Sequence, residues 1–317
     1  MTIQQQKEKF EQEREKRVYE SARLTFNGVD GFTVYNCSIP FEKDGKQYIY
    51  GRVEKADQWA NSIVRLFEKT GKDEYSLVPD QMIYQLEDPY IAEIQGQFVL
   101  GGTHVRKKSG KIDTVYGYFY RGTDLSDLEY FTTGPEGMKD IRLVDRKDGT
   151  IGVFSRPRNA AVKEKYGSES MIGFAVIKNL DELTDQVIEN AEPIQGIFDQ
   201  GEWGGCNQVY LLEGGKLGII GHQSYLQPQG DGVEPLSVYV NISFEFDPET
   251  FQVSERKVIG TRGCYPPAAP KLPQLADCTF TSGIVMREDG KVDLYAGIGD
   301  EGEGRIVIDY PFTAPLA

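Results

Sequence analysis

The sequence predicts an all-β fold, a five-bladed β-propeller behind a short N-terminal helical extension. Three observations predict it. Five apolar strands each follow a turn ending in glycine, each strand runs out in polar residues, and long amphipathic helices are scarce beyond the first twenty residues. Short apolar or aromatic runs broken by glycines are the pattern of all-β chains.

The repeat runs as follows. Asp44-Gly45 opens a strand ending at Arg52, and Gln95-Gly96 one ending at His104. Asp148-Gly149 leads to Arg156, Gly214-Gly215 to His222, and Asp289-Gly290 to Asp300. Asp-Gly and similar pairs favour hairpin turns whose two central positions need positive φ. The glycines at 45, 96, 149, 215 and 290 are 51, 53, 66 and 75 residues apart, room for one four-stranded sheet each. Five such units suggest a propeller. The spacing is irregular, so the blade count rests more on the family resemblance below. Equivalent strand ends converge on a propeller axis, which predicts a ring of Arg52, His104, Arg156, His222 and Asp300. The bland reading is that strand ends are polar because they meet solvent.

Residues 1–23 are expected to be a charged helical extension, dense in Lys, Glu and Gln from Gln4 to Arg17, and residues 24–317 the propeller. Leu180 to Asn190 is expected to hold a short turn or helix. The 317 residues carry a net charge of −14, which opposes binding to nucleic acid or anionic lipid. No apolar run approaches a membrane span of about 18 residues, and no apolar signal stretch opens the chain. Cys37, Cys206, Cys264 and Cys278 are scattered, which argues against a zinc site or a disulfide framework and for reduced thiols in a cytoplasm. No metal-binding His/Cys cluster or Ser-His-Asp elbow is visible. Gly297-Ile-Gly299-Asp-Glu-Gly302 matches a dinucleotide fingerprint, but a strand rather than a helix is expected after it.

Glu87-Asp88-Pro89 stands before the second repeat strand. Proline disfavours helical geometry at the preceding residue, so Asp88 is expected to be extended and fixed in angle. A fixed, partly buried carboxyl suits a general acid; a plain loop turn is the bland alternative. Lys139-Asp140-Ile141-Arg142, Arg156-Pro157-Arg158 and His104 with its basic neighbours form cationic groups within an acidic chain, candidates for an anion. Paired surface charges are the competing reading. Trp203 in Glu202-Trp-Gly-Gly-Cys-Asn207 is either a sugar platform or a core residue, with Asn207 a candidate contact beside it.

These residues resemble the inverting β-mannoside phosphorylases, which are five-bladed propellers. Val34-Tyr-Asn36-Cys with Tyr48-Ile-Tyr-Gly-Arg52-Val-Glu54 is similar to their first-blade sugar motif, and Glu87-Asp88-Pro89 to the Glu-Asp-Pro-Arg motif carrying their general acid. Lys139-Asp140, Arg156-Pro157, Gly221-His222 and Tyr295 to Asp300 are similar to motifs of the later blades. Tyr90 and Gly221 depart from the pattern and bring the chain closer to a sister group formerly of unknown function. That group contains β-1,2-mannosyltransferase/phosphorylases of protozoa and bacterial relatives. The resemblance implies Asp88 as general acid, acting through a sugar hydroxyl, and Asn36, Arg52 and Asp300 as mannoside contacts, to which Trp203 and Asn207 are added as candidates from their own segment. It implies His104, Lys139, Arg142, Arg156 and His222 as phosphate contacts, with inorganic phosphate the co-substrate and no cofactor. The alternatives are a GDP-mannose-dependent transferase, a hydrolase and a non-catalytic sugar-binding propeller. A homo-oligomer stays open.

Overall fold

The computed structural model describes all 317 residues. Five sheets, antiparallel apart from one edge strand, follow one another along the chain. Blade 1 has Lys46–Lys55, Ile63–Gly71 and Glu74–Leu77 outside an interrupted inner strand, Phe32–Tyr35 then Phe41–Lys43; Thr25–Asn27 adds in parallel at its outer edge. Blade 2 runs from Glu87–Ile94 outward through Gln97–Lys108, Lys111–Gly122 and Glu129–Thr133. Blade 3 is Arg142–Asp145, Ile151–Ser155, Ile172–Ile177 and Glu192–Ile194. Blade 4 is Trp203–Leu211, Leu217–Gln227 and Leu236–Asp247, with Gln252–Val253 and Lys257–Gly260 sharing the last position. Blade 5 is Thr279–Met286, Lys291–Ile298, Gly302–Asp309 and, outermost, Val18–Arg23 from the other end of the chain. The first strands of blades 2 to 5 pack against one another in succession, which places them around the axis. No helix is long and apolar enough to cross a membrane.

The five turn glycines sit where the repeat places them, between the first and second strands of each blade. Their chemistry divides. In blades 1 and 2 both central residues are left-handed: Asp44 at φ 53° with Gly45 at 75°, and Gln95 at 49° with Gly96 at 75°. In blades 3 to 5 the loop is one residue longer. There Gly149, Gly215 and Gly290 donate to the carbonyls of Arg146, Leu212 and Arg287, and Asp148 and Asp289 keep ordinary negative φ. A three-residue loop needs only its last residue left-handed.

Residues 18–23, expected to belong to the helical extension, are instead a strand paired with Gly302–Asp309. The helix itself, Ile3–Arg17, opens with a capping box between Thr2 and Gln5. It is not a free-standing appendage. Ile3 and Phe10, on one face, enter the apolar core of blades 3 to 5, and Lys7 pairs with Asp277 at 2.7 Å. Leu180 to Asn190 forms two short turns, Leu180–Glu182 and Asp185–Glu189. A further helix, Ala160–Tyr166, was not expected.

The N-terminal strand closes the ring, and one buried guanidinium fastens it. Arg305 is 2% exposed. It meets Glu20 on the closing strand, Asp73 of blade 1 at 2.6 Å and Asp293 at 2.7 Å. Removing it would leave three carboxylates facing one another. Arg305→Met is expected to lower stability on the order of 3 kcal/mol, read as a lower urea midpoint at unchanged slope. Arg305→Lys should recover only part, because an ammonium cannot reach three acceptors in one plane.

Candidate active site

Along the inner strands the ladder is broken or cut short in each blade. Pairing shifts between Glu87 and Tyr90, between Cys206 and Gln208, and between Thr281 and Gly283. In blade 1 the inner strand is interrupted just after Tyr35, and in blade 3 it begins just after Asp140 and Ile141. Bulges re-aim side chains, and Asp88 sits in one; Asn36 and Asp140 flank strand ends, and Asp300 lies in the turn after Lys291–Ile298. Asn36, Asp88, Asp140 and Asp300 all have positive φ, 46°, 49°, 58° and 56°. Asp88 is therefore left-handed, not extended as its proline predicts. The bulge overrides the preference, and an aspartate tolerates this region better than most residues. Non-glycine residues held this way cluster at functional sites.

A cavity of about 410 Å³ lies there, within the usual ~300–1,000 Å³ of small-molecule sites. Asn36, Arg52, Asp88, Lys139, Arg156, Trp203, His222 and Asp300 all line it. On one wall, Arg52 is buried and donates to Asp88 at 2.9 Å, Glu87 at 3.0 Å and Ser62 at 2.8 Å. The Asn36 amide bridges two carboxyls, donating to Asp88 at 3.0 Å and Asp300 at 3.1 Å. It fits because residue 297 is glycine; a Cβ there would sit 1.8 Å from the Asn36 Oδ1. Burial pushes the pKa of both Glu87 and Asp300 above the ordinary carboxyl range; Arg52 opposes this and the Asp88 charge adds to it. The Lys139 Nζ stands 3.9 Å from the second Asp88 oxygen.

The other wall is cationic. Arg156 is buried, anchored through Nε to the Gly204 carbonyl and through Nη1 to Asp140, both at 2.6 Å. Burial opposes ionisation of Asp140, yet Arg156, Lys139 and Arg142 outweigh it and hold its pKa below the ordinary range. Burial, then the Arg156 charge, drives the His222 pKa well down, so its ring is neutral. Its Nδ1 meets Asn207 Oδ1 at 2.8 Å and its buried Nε2 has no partner. Exposed Arg158 also borders the cavity.

Three expected site residues lie elsewhere. Thr103 pairs with Glu87, so His104, one residue on, points to the opposite sheet face. There it stacks on Tyr118 at 4.5 Å and its Nδ1 lies 3.2 Å from the Gln85 carbonyl. Arg142 is buried behind the wall, donating to the Asn207 carbonyl at 2.6 Å and lying over the Tyr90 ring. Asn207 supports His222 from behind rather than lining the cavity. Trp203 is half-buried, borders the cavity and donates to the Tyr239 hydroxyl at 3.1 Å. Trp59 and Tyr239 line the cavity too, beyond the residues the sequence points to. Trp59 carried a usable signal, a lone large aromatic in the polar run Asp57-Gln-Trp-Ala-Asn61.

Beneath Asn36 lies Glu303, fully buried. Its carboxyl accepts from the Cys37 N–H at 3.0 Å and the Ser282 hydroxyl at 2.9 Å, tying blade 1 to blade 5. Burial raises its pKa from 4.5 to about 8, against the pull of those donors. Below pH 4.5 the group is protonated folded or unfolded. From there up to about 8 only the folded chain keeps the proton, so stability falls as pH rises through that window. Glu303→Gln is expected to remove this dependence. The difference in unfolding free energy between variant and wild type should shift toward the variant by up to about 1.4 kcal/mol per pH unit across it. Denaturant unfolding at half-unit pH steps checks this; parallel curves would contradict it.

The family model described as "Protein of unknown function (DUF1861)" matches residues 9–314. Among solved structures, a mannose phosphorylase from Leishmania mexicana, in complex with phosphate ion, is 53% identical; the match covers 99% of this chain and 96% of that one at a TM-score of 0.92. A GDP-Man-dependent mannosyltransferase from the same organism is 46% identical, over 100% and 97% of the two chains, at 0.91. A β-1,2-mannobiose phosphorylase from Listeria innocua is 16% identical over 88% and 91%, at 0.62, a likeness of fold. No curated protein matches. The chain thus belongs to the family described as of unknown function under DUF1861 and, at 53% identity over nearly its whole length, to the family of the Leishmania mannose phosphorylase.

Proposed function

We propose that the protein is an inverting β-mannoside phosphorylase, moving a mannosyl unit reversibly between a β-1,2-linked oligomannoside and inorganic phosphate. The observation that carries this is the two-walled cavity. A carboxyl framed by Arg52 and Asn36, with Lys139 3.9 Å from it, shares the cavity with Arg156 and neutral His222. The 53% identity to a mannose phosphorylase solved with phosphate supports the same reading.

In this reading Asn36, Arg52 and Asp300 hold the reacting mannose, with Trp203 beside it. Asp88 supplies the proton to the departing glycosidic oxygen, directly or through a sugar hydroxyl. A phosphate oxygen, held by Lys139 and Arg156, bonds to the anomeric carbon from the opposite face as the glycosidic bond breaks, and the His222 Nε2, the acceptor edge of its neutral ring, takes the hydroxyl proton of hydrogen phosphate as a hydrogen bond. Arg142 and Asn207 act from behind, by fixing Asp140, Arg156 and His222. The four unpaired thiols suit a reducing cytoplasm. A second reading, transfer from GDP-mannose, draws on the 46% identical transferase and on Arg158 at the rim, a further cation for a diphosphate.

Mannose 1-phosphate with mannose or a β-mannoside acceptor should release inorganic phosphate. Absence of release with every mannoside acceptor would overturn the phosphorylase reading, and turnover of GDP-mannose alone would select the transferase. Asp88→Asn should cut turnover by about 10²–10⁴-fold, the usual worth of a general acid, while its thermal unfolding midpoint stays close to the wild type.

A further inference from the structure

The cavity mouth contains a tryptophan that the fold itself does not use. Trp59 is 62% exposed, on the loop joining Lys46–Lys55 to Ile63–Gly71, and borders the cavity. Exposed single aromatics are ordinary on a surface, but this one lines a concave pocket, where aromatic and apolar side chains contact small ligands. The mouth has a second apolar border in the segment from Pro266 to Asp277, which contributes Leu272, Gln274 and Leu275. Prolines at 266, 267, 270 and 273 stiffen this segment. Its backbone is pinned where the Lys271 N–H donates to Gly299 at 2.8 Å and where Asp277 accepts from Tyr239 at 3.0 Å.

One buried carboxylate fastens both borders. Glu54 Oε1 accepts from the Asn61 N–H at 2.8 Å and the Ser62 hydroxyl at 2.9 Å, at the end of the Trp59 loop. Glu54 Oε2 accepts from the Tyr35 hydroxyl at 2.6 Å and from the Lys271 ammonium of the proline segment. The same Ser62 oxygen accepts from Arg52 Nε at 2.8 Å. Both borders are thereby registered against the arginine of the cavity floor. Burial opposes charge on Glu54, but Lys271, Tyr35 and Arg52 keep its pKa below the ordinary range, so the pair is ionic at neutral pH.

We propose that Trp59 and the Pro266–Asp277 segment seat the acceptor-side mannosyl unit, and that the Glu54–Lys271 pair sets the spacing between them. This rests on the mannoside reading above. The chemistry fits a neutral sugar rather than a second anion. The indole and two leucines offer flat apolar surface for the C–H face of a pyranose, Gln274 offers an amide for its hydroxyls, and the cavity's cations come from other segments. Lys271 is a positioning residue; its charge is spent on Glu54.

Calorimetric titration of the intact protein tests this without needing turnover. The ligands are β-1,2-mannobiose, which reaches the mouth, and mannose 1-phosphate, which does not. Trp59→Ala and Lys271→Met should each weaken mannobiose about tenfold and leave mannose 1-phosphate within about twofold, with Lys271→Arg recovering most of the loss. Unchanged mannobiose affinity in Trp59→Ala overturns the inference, as does an equal loss for both ligands, which would mean a general structural defect. If the wild type binds mannobiose and Trp59→Ala binds it equally well, the inference alone falls. If the wild type binds neither ligand, the mannoside reading falls and takes the inference with it.

Discussion

The site is organised by the need to keep one guanidinium charged out of water. Arg52 is 3% exposed, and an unpaired cation at that depth would be strongly destabilising. Glu87 and Asp88 take its two Nη groups and Ser62 its Nε. Glu54 stands 3.7 Å away, and Asp300 joins through Asn36. Four carboxyls around one arginine exceed what it can neutralise. Lys271 meets the charge of Glu54, and Lys139 approaches Asp88. Glu87 and Asp300 are left with burial and a neighbouring negative charge, and their pKa values rise. The excess of acid over base therefore raises the proton affinity of the two carboxyls beside Asp88.

That arrangement depends on backbone that regular strands do not provide. Side chains of an unbroken strand alternate between the two faces of its sheet, and in a propeller those faces are covered by the adjacent blades. Arg52, Trp203 and His222 reach the cavity from paired strand positions, and the short polar residues reach it where the ladder breaks or ends. Asn36 follows the gap in the first inner strand, Asp88 sits in the Glu87/Tyr90 bulge, and Asp140 precedes its strand. All three are left-handed, as is Asp300, and all are Asn or Asp, the residues that bear this geometry most cheaply. The chain thus uses the same residue type to satisfy a backbone constraint and to supply the chemistry.

The parts of this legible in the sequence were local. Turn glycines and strand ends mark themselves within a few residues, so five hairpins and four of the five expected ring members could be read. What failed was non-local or a matter of parity. Val18–Arg23 alternates half-buried and exposed residues, and its partner strand lies at the far end of the chain. Nothing within residues 18–23 announces that pairing. His104 stands one residue past buried Thr103, the partner of Glu87, and so faces the other side of its sheet; bulges make such counting unsafe from spacing alone. Arg142 lies in a basic cluster, but its guanidinium fills the space behind Asp140 and Tyr90 instead of the cavity. Trp59 belongs to a loop with no repeat to place it.

The cationic wall also bears on which nucleophile the site can use. Water must lose a proton as it attacks, so an inverting hydrolase needs a base on that side. The base must be willing to take the proton, and its pKa measures how willing. Asp140 is held below the ordinary carboxylate range by its arginines, and the His222 imidazole is driven well below its own. Both are thereby weak bases. Glu234, a further carboxylate of the lining, is exposed on the loop before Leu236–Asp247. The features that weaken proton acceptance on this wall, namely Arg156, Lys139 and deep burial, are those that favour an anion. A nucleophile that arrives already ionised suits it, and phosphate meets that requirement where water does not.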